Sequence, residues 1–282
     1  MFEYQEKKYK GIQFNASDLI QYDTEKNLPL LLGKEKGAIE NVVVVGAWQG
    51  DEVRAFLKFP NTHIHCFEAN PKTFAILNDL YKKEERVHCY NYACSDVDGT
   101  AIFHETNIDG NGSLLEVGDH PAAKAAGSFE VNTIRLDSFP ELKDKKIDLL
   151  QVDVQGAELS VLRGADHVLA NTAALLIEVN ARGGSYKGAA TYSEIDDAVR
   201  QYGLVLIAQG LDQTGIEGNA LYMKEEPRKG LFDRDAVEQR VETILVSKIK
   251  KREIYHNPIF KFIHRITPQA VRTKLKKIIR FN

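Results

Sequence analysis

From Asn41 onward the hydrophobic pattern of the chain becomes regular. "NVVVV" is a continuous β-branched run, and a turn follows it at Gly46. A short apolar run bounded by glycine predicts a strand covered on both faces. "DEVRAFLKF" then carries apolar residues at helical spacing, and "HIHCFEA" is again strand-like. "NPKTFAILNDLYKKE" predicts an amphipathic helix with Pro71 in its first turn, where a missing N–H is tolerated. "RVHCYNYAC" predicts a third strand. Strands alternating with helical stretches of this length predict βαβ units and a parallel sheet.

The middle of the chain breaks this rhythm. "GTAIFHET" and "FEVNTIRL" predict strands, separated by the Gly- and Asp-rich segment "NIDGNGSLLEVGDHPAAKAAGS". A long irregular segment inside a compact domain predicts a functional loop. Alternation then resumes, with "KIDLLQVDV" as a strand, "GAELSVLRGADHVLA" as one helix and "AALLIEVN" as a strand. After the loop "RGGSYKGAATY", "SEIDDAVRQYG" predicts a helix ended by Gly203. "LVLIAQG" and "NALYMKE" are close enough to pair. The expected organisation is an N-terminal helical or lid segment (1–40), an α/β body (41–226) and a basic amphipathic helical tail (227–282).

Composition sharpens the two ends. The net charge is −3, yet residues 246–282 hold eleven Lys/Arg and one acid, so the chain before them carries about −13. A basic helix with one apolar face predicts attraction to an anionic membrane surface through residues 250–282. Packing on the acidic body, or on a second subunit in a homo-oligomer, is the alternative. Nucleic acid is disfavoured as a partner, because the body is acidic and no binding module is present. Three cysteines without C-x-x-C spacing predict reduced thiols and no zinc site. The first ten residues have no apolar core, and no apolar run approaches the ~18 residues of a membrane span. A cytoplasmic protein is expected, peripheral on the inner face of the membrane if the tail binds there.

Ligands of open parallel sheets bind beyond the carboxyl ends of the strands. Gly46, Ala47, Trp48 and Gly50 follow the first strand, and Glu68 ends the second, 22 residues after Gly46. A carboxylate at that spacing grips a ribose diol. The helix after the turn opens with Asp51 and Glu52. A pyrophosphate prefers a helix start free of acids, whereas a sulfonium cation tolerates them. That points to S-adenosylmethionine rather than a dinucleotide.

The motifs "VVGAWQGDE", "CFEANPKTFAIL", "YACSDVDGTAIFHE", "GSLLE", "VNTIRLDSF", "IDLLQVDVQGAELSVLRGA", "LLIEVN" and "GNALYMKE" occur in this order over residues 42–224. In them the chain resembles the FkbM family of S-adenosylmethionine-dependent methyltransferases. The resemblance implies a Rossmann-like seven-stranded, mostly parallel sheet and methyl transfer to a hydroxyl of a sugar or glycan acceptor, including a lipid-linked polysaccharide. It implies cofactor binding by Gly46, Ala47, Trp48, Gly50, Glu68, Ala69, Ser95, Asp96, Asp153 and Gln155. The family pattern Asp-x-Gly-Ala-Asn-x-Gly has Val44 and Trp48 here at its Asp and Asn positions. The alternative this departure raises is a non-catalytic cofactor-binding scaffold in a membrane-associated glycan assembly. A transferred methyl requires a base for the acceptor hydroxyl; Asp153, Glu178 and His104 are the candidates, with His120 beside them. Asp153, Glu178 and Asn180 also form an oxygen set that would suit Mg²⁺, although no metal site is assigned. Tyr186 and Tyr192 are candidates for stacking on a sugar face.

Overall fold

The computed structural model describes residues 8–9, 12–13, 39–180, 184–211 and 217–224. β1 (Lys8–Tyr9) and β2 (Ile12–Gln13) form a small antiparallel pair. The rest of the expected N-terminal segment up to residue 38, and the whole basic tail, lie outside the described residues. None of the described helices is long and apolar enough to cross a membrane.

The strands of the body are β3 (Asn41–Val45), β4 (His63–Phe67), β5 (Val87–Tyr90), β6 (Ala93–Cys94), β7 (Gly99–Thr106), β8 (Ala125–Ile134), β9 (Ile147–Val152), β10 (Thr172–Asn180), β11 (Leu204–Leu211) and β12 (Glu217–Lys224). Seven of them form one sheet in the order β11-β12-β10-β9-β3-β4-β5. β12 runs antiparallel between β10 and β11, while β5, β4, β3, β9 and β10 pair in parallel. The expected seven-stranded, mostly parallel α/β sheet is therefore present.

The four valines of β3 explain why this strand is central. Val42 and Val44 face a core with Ile64, Cys66 and Leu77, while Val43 and Val45 face a second core with Phe67, Leu150 and Val161. Side chains alternate across a strand, so an uninterrupted apolar run needs cover on both sides. Helices α1 (Asp51–Phe56) and α2 (Pro71–Tyr81) contribute Val53, Phe56, Leu77 and Tyr81 to the first core. Helices α3 (Glu158–Arg163), α4 (Asp166–Ala170) and α5 (Tyr192–Arg200) contribute Val161, Val168, Ile195 and Val199 to the second. Asn70 caps α2 by accepting from Lys72 N at 3.0 Å, and Thr191 with Glu194 makes a capping box on α5.

Two local expectations change. The predicted helix 156–170 divides into α3 and α4 at Gly164, where a Cβ would lie 1.9 Å from the Ser95 carbonyl oxygen. "RVHCYNYAC" likewise divides, with β5 joining the large sheet and β6 joining a three-stranded sheet of order β6-β8-β7. β7 and β8 pair antiparallel, and the irregular excursion between them spans 107–124.

Candidate active site

A cleft opens beyond the carboxyl ends of β3, β4 and β9, and β7 with residues 106–114 forms its far wall. Its empty space is about 800 Å³, open mouth included. Gly46 is at φ 80, and a Cβ there would sit 1.7 Å from the Asp153 carbonyl oxygen. Only glycine lets the turn after β3 press against the turn after β9. The Gly46 and Ala47 amides donate to the Phe67 carbonyl, each at 3.0 Å, which ties this turn to the end of β4.

Glu68 is 8% exposed. One of its carboxylate oxygens accepts from Trp48 N at 2.9 Å and the other from Asn70 N at 2.8 Å. Burial pushes this carboxyl up to about 7, against the opposing pull of the two amides. Trp48 holds a left-handed backbone, φ 42, and its ring borders the cleft with its Nε1 buried and without an acceptor. Gln49 Nε2 donates to Asp109 across the cleft at 3.0 Å.

Beside the cleft the carboxylates of Asp153, Glu158 and Glu178 lie within 4.8 Å of one another. Gln155, at φ 56, places its amide nitrogen 2.8 Å from Asp153 Oδ1 and 3.1 Å from Glu178 Oε2, donating to both. The Tyr186 hydroxyl lies 3.2 Å from Gln155 Oε1 and 2.8 Å from the Asn111 carbonyl. Glu158 folds back on its own turn and accepts from Val154 N at 3.1 Å and Gly156 N at 3.0 Å. Burial pushes Glu158 up to about 7, and the charge of Asp153 adds to the rise. Burial also pushes Glu178 well above the ordinary range, reinforced by the charges of Asp153, Glu158 and Glu217.

The structure sorts the sequence candidates. Gly46, Trp48, Glu68, Ala69, Asp153 and Gln155 line the cleft, and Glu178 reaches it through Gln155. Ala47 and Gly50 do not line it. Ala47 is a core residue, and Gly50 lies under α2, where a Cβ would meet Tyr81 at 2.6 Å. Cys94 borders the cleft, but Ser95 and Asp96 do not; the Ser95 hydroxyl bonds to Asp96 at 3.1 Å. Phe103 and Glu105 of β7 line the cleft, so His104 between them is on the opposite face of the strand. His120 accepts the Ala122 and Ala123 amides at 3.1 and 2.7 Å, which makes it a turn-capping residue. Tyr186 and Tyr192 are each only 3% exposed, so neither offers a ring face for stacking. Asn180 bonds to Ser185 and Glu217, and Glu158 takes the third place in the acid cluster. Within that cluster the Gln155 amide already occupies one oxygen of each of Asp153 and Glu178 with N–H donors.

Glu105 and Asp109 escaped the sequence reading as site residues. Glu158 reads in the sequence either as a site neighbour of Asp153 or as a first-turn carboxylate favoured by the helix dipole. Among the described residues the cleft lining includes four acids, Glu68, Glu105, Asp109 and Asp153, and no Lys, Arg or His. That acidity fits a sulfonium cofactor and opposes a phosphate-bearing one, and Gly46 allows close backbone approach.

Residues 45–206 match the methyltransferase FkbM domain. The 2-O-methyltransferase NoeI of Sinorhizobium fredii is 30% identical over 193 residues, covering 64% of this chain and 77% of that protein. A SAM-dependent methyltransferase from Aquifex aeolicus aligns with 15% identity and a TM-score of 0.41, over 74% of this chain and 93% of that one. Magnesium protoporphyrin IX methyltransferase from Synechocystis PCC 6803, solved with bound SAM, aligns with 8% identity and a TM-score of 0.44, over 72% and 78%. Because the domain match spans more than half of its length, the chain belongs to the FkbM methyltransferase family and is an S-adenosylmethionine-dependent methyltransferase.

Proposed function

We propose that this enzyme methylates a hydroxyl oxygen of a sugar or glycan, with Asp153 receiving the hydroxyl proton. The observation that carries the reading is the Asp153–Gln155–Glu178 arrangement beside the cleft. When bound, the cofactor supplies an electrophilic methyl on sulfonium sulfur. Glu68 would accept from the ribose hydroxyls, and Gly46 allows close backbone approach. As the new C–O bond forms, the hydroxyl must lose its proton, and a placed base typically contributes ~10²–10⁴-fold. Burial and the charges of its acidic neighbours push the Glu178 carboxyl well above the ordinary range, and Gln155 fixes the orientation of the adjacent Asp153. The name of the Sinorhizobium relative, a 2-O-methyltransferase, supports oxygen as the accepting atom.

The acceptor walls in this reading are the segments 106–124 and 184–192. They are joined by backbone bonds from Gly118 N to Ser185 O at 2.8 Å, Asp119 N to Gly184 O at 2.6 Å and Lys187 N to Glu116 O at 2.8 Å. The test is mass spectrometry of a glycan pool incubated with the cofactor and either the enzyme or its Asp153→Asn variant. The enzyme should add one methyl group to a hydroxyl, and the variant should fall by roughly 10²-fold in kcat. A variant with unimpaired kcat removes Asp153 from the role, and a methyl found only on nitrogen or carbon refutes the acceptor class.

A further inference from the structure

The three cysteines of the chain are free thiols, and two of them meet. Cys66 of β4 and Cys89 of β5 are direct partners in the parallel register. Partners on neighbouring strands send their side chains to the same face, and here that face is the first core, with Val44 and Leu77. Cys66 is buried, whereas Cys89 is half-buried on the outer strand of the seven-stranded order. The Cys66 S–H donates to Cys89 and holds the Cys89 thiol below its ordinary value. The same contact, together with burial, raises Cys66 well above its own. Cys89 is thus the more readily ionised sulfur and the more accessible one. Cys94 lies in the second core, so no third thiol shares the contact.

The residues that follow the pair on each strand connect it to the cleft. Glu68 N donates to the Tyr90 carbonyl at 3.0 Å, and the Asn91 side-chain amide donates to the Glu68 and Ala69 carbonyls at 2.8 and 3.1 Å. The end of β5 therefore holds Glu68 in place, and the Glu68 carboxylate in turn accepts from Trp48 N. Neighbouring strands lie about 4.8 Å apart, whereas the Cβ atoms of a disulfide lie about 3.8 Å apart. A bond between the two sulfurs draws the strands together by roughly 1 Å at this point. β5, at the end of the strand order, is the one that yields. Tyr90 and Asn91 move with it, and their hold on Glu68 shifts.

We propose that Cys66 and Cys89 form a redox-active pair, which a hydroperoxide closes to a disulfide and a thiol reductant reopens, and that closure weakens cofactor binding by displacing Glu68. The Cys89 thiolate attacks one peroxide oxygen, the O–O bond breaks, and hydroxide leaves. The Cys66 sulfur then displaces hydroxide from the Cys89 sulfenic acid and gives up its proton, forming the S–S bond. Two thiol hydrogens and two electrons pass to the peroxide, which becomes two waters. The effect on the cofactor rests on the ribose role proposed for Glu68, whereas the disulfide itself does not.

Full-length reduced protein is exposed to hydrogen peroxide, desalted, blocked at its remaining thiols and digested with trypsin. Lys72, Lys82, Lys83 and Arg86 separate the two cysteines, so a bond between them links two peptides. Fragmentation distinguishes Cys89 from Cys94, which share one peptide. The linked species should form with peroxide and disappear with dithiothreitol. Calorimetry with S-adenosylmethionine should show affinity about tenfold weaker for the oxidised protein, the weight of one hydrogen bond to a charged group, with full recovery on reduction. Cys89→Ser should bind within about twofold of the reduced wild type both before and after peroxide. Absence of the Cys66–Cys89 linkage would overturn the proposal. So would a linked protein that binds cofactor as tightly as the reduced one, or a loss of affinity that persists in Cys89→Ser and therefore originates elsewhere. Glu68→Gln in the reduced state reads the ribose role by itself: unchanged affinity there refutes that role, and the linked peptide is read without it.

Discussion

In the proposed role of Glu68 as acceptor of the ribose hydroxyls, the stability of the free enzyme and its affinity for cofactor depend on pH in opposite directions. Burial raises its carboxyl from 4.5 to about 7. The unfolded chain therefore releases this proton at lower pH than the folded chain. The stabilising contribution is complete below pH 4.5 and is lost as pH rises to about 7. At about 1.36 kcal/mol per pH unit the loss is about 3 kcal/mol, a sizeable part of a typical folding free energy. Other groups titrate in the same window, so the measurement is a difference. Denaturant unfolding of wild type and Glu68→Gln is compared from pH 4.5 to 8. The variant forfeits an acceptor for Trp48 N or Asn70 N, but that penalty does not vary with pH. The gap between the two stability curves should change by about 3 kcal/mol across the window, in favour of the variant as pH rises. In the proposed role of Glu68, cofactor affinity should move the other way, because a ribose diol would donate to the ionised carboxylate. Wild-type affinity should climb up to about tenfold per unit below pH 7 and then level off, and the variant should show no such climb. Stability curves that remain parallel would refute the raised carboxyl and the argument built on it.

Two further outcomes follow from local geometry. Gly164→Ala drives a methyl into the Ser95 carbonyl and should cost about 1–3 kcal/mol in chemical denaturation, the usual range for overpacking. An unchanged midpoint would mean that the break between α3 and α4 has another origin. Gln155→Ala removes both amide donors from the Asp153–Glu178 pair. Its kcat should fall roughly tenfold or more while calorimetric cofactor affinity changes little, and a variant weakened only in binding would contradict that role for Gln155.

The parallel sheet was legible because uninterrupted apolar runs such as Val42–Val45 have few other stable uses. The places of Gly46 and Glu68 at the cleft were legible because a glycine turn and the end of the next strand keep a fixed spacing along the chain. Other features depend on distant segments meeting. The interruption at Gly164 comes from Ser95, far earlier in the chain, and local helical periodicity carries no trace of it. Ser95 and Asp96 follow β6, which has left the large sheet for the small one, and it is Cys94 that borders the cleft. His104 failed to reach the cleft by one residue, since a strand shows only alternate side chains to either face. Val44, at a position where the family pattern has an acid, is fully buried among Ile64, Cys66 and Leu77. Val45 borders the cleft in its place.

The excursion between β7 and β8 leaves and re-enters the fold through the small sheet, so no strand of the seven-stranded sheet depends on its length. It grips the rest of the protein at a few places, chiefly the backbone bonds to residues 184–187 and the Ser113 hydroxyl donating to the Val154 carbonyl at 3.3 Å. Such a segment behaves as an interchangeable jaw. Insertions and deletions within it alter the shape of the mouth while the cofactor floor formed by β3, β4 and β9 stays intact. In the proposed reading this one loop shapes the acceptor side of the cleft, and its exchange should alter acceptor choice with little effect on the large sheet.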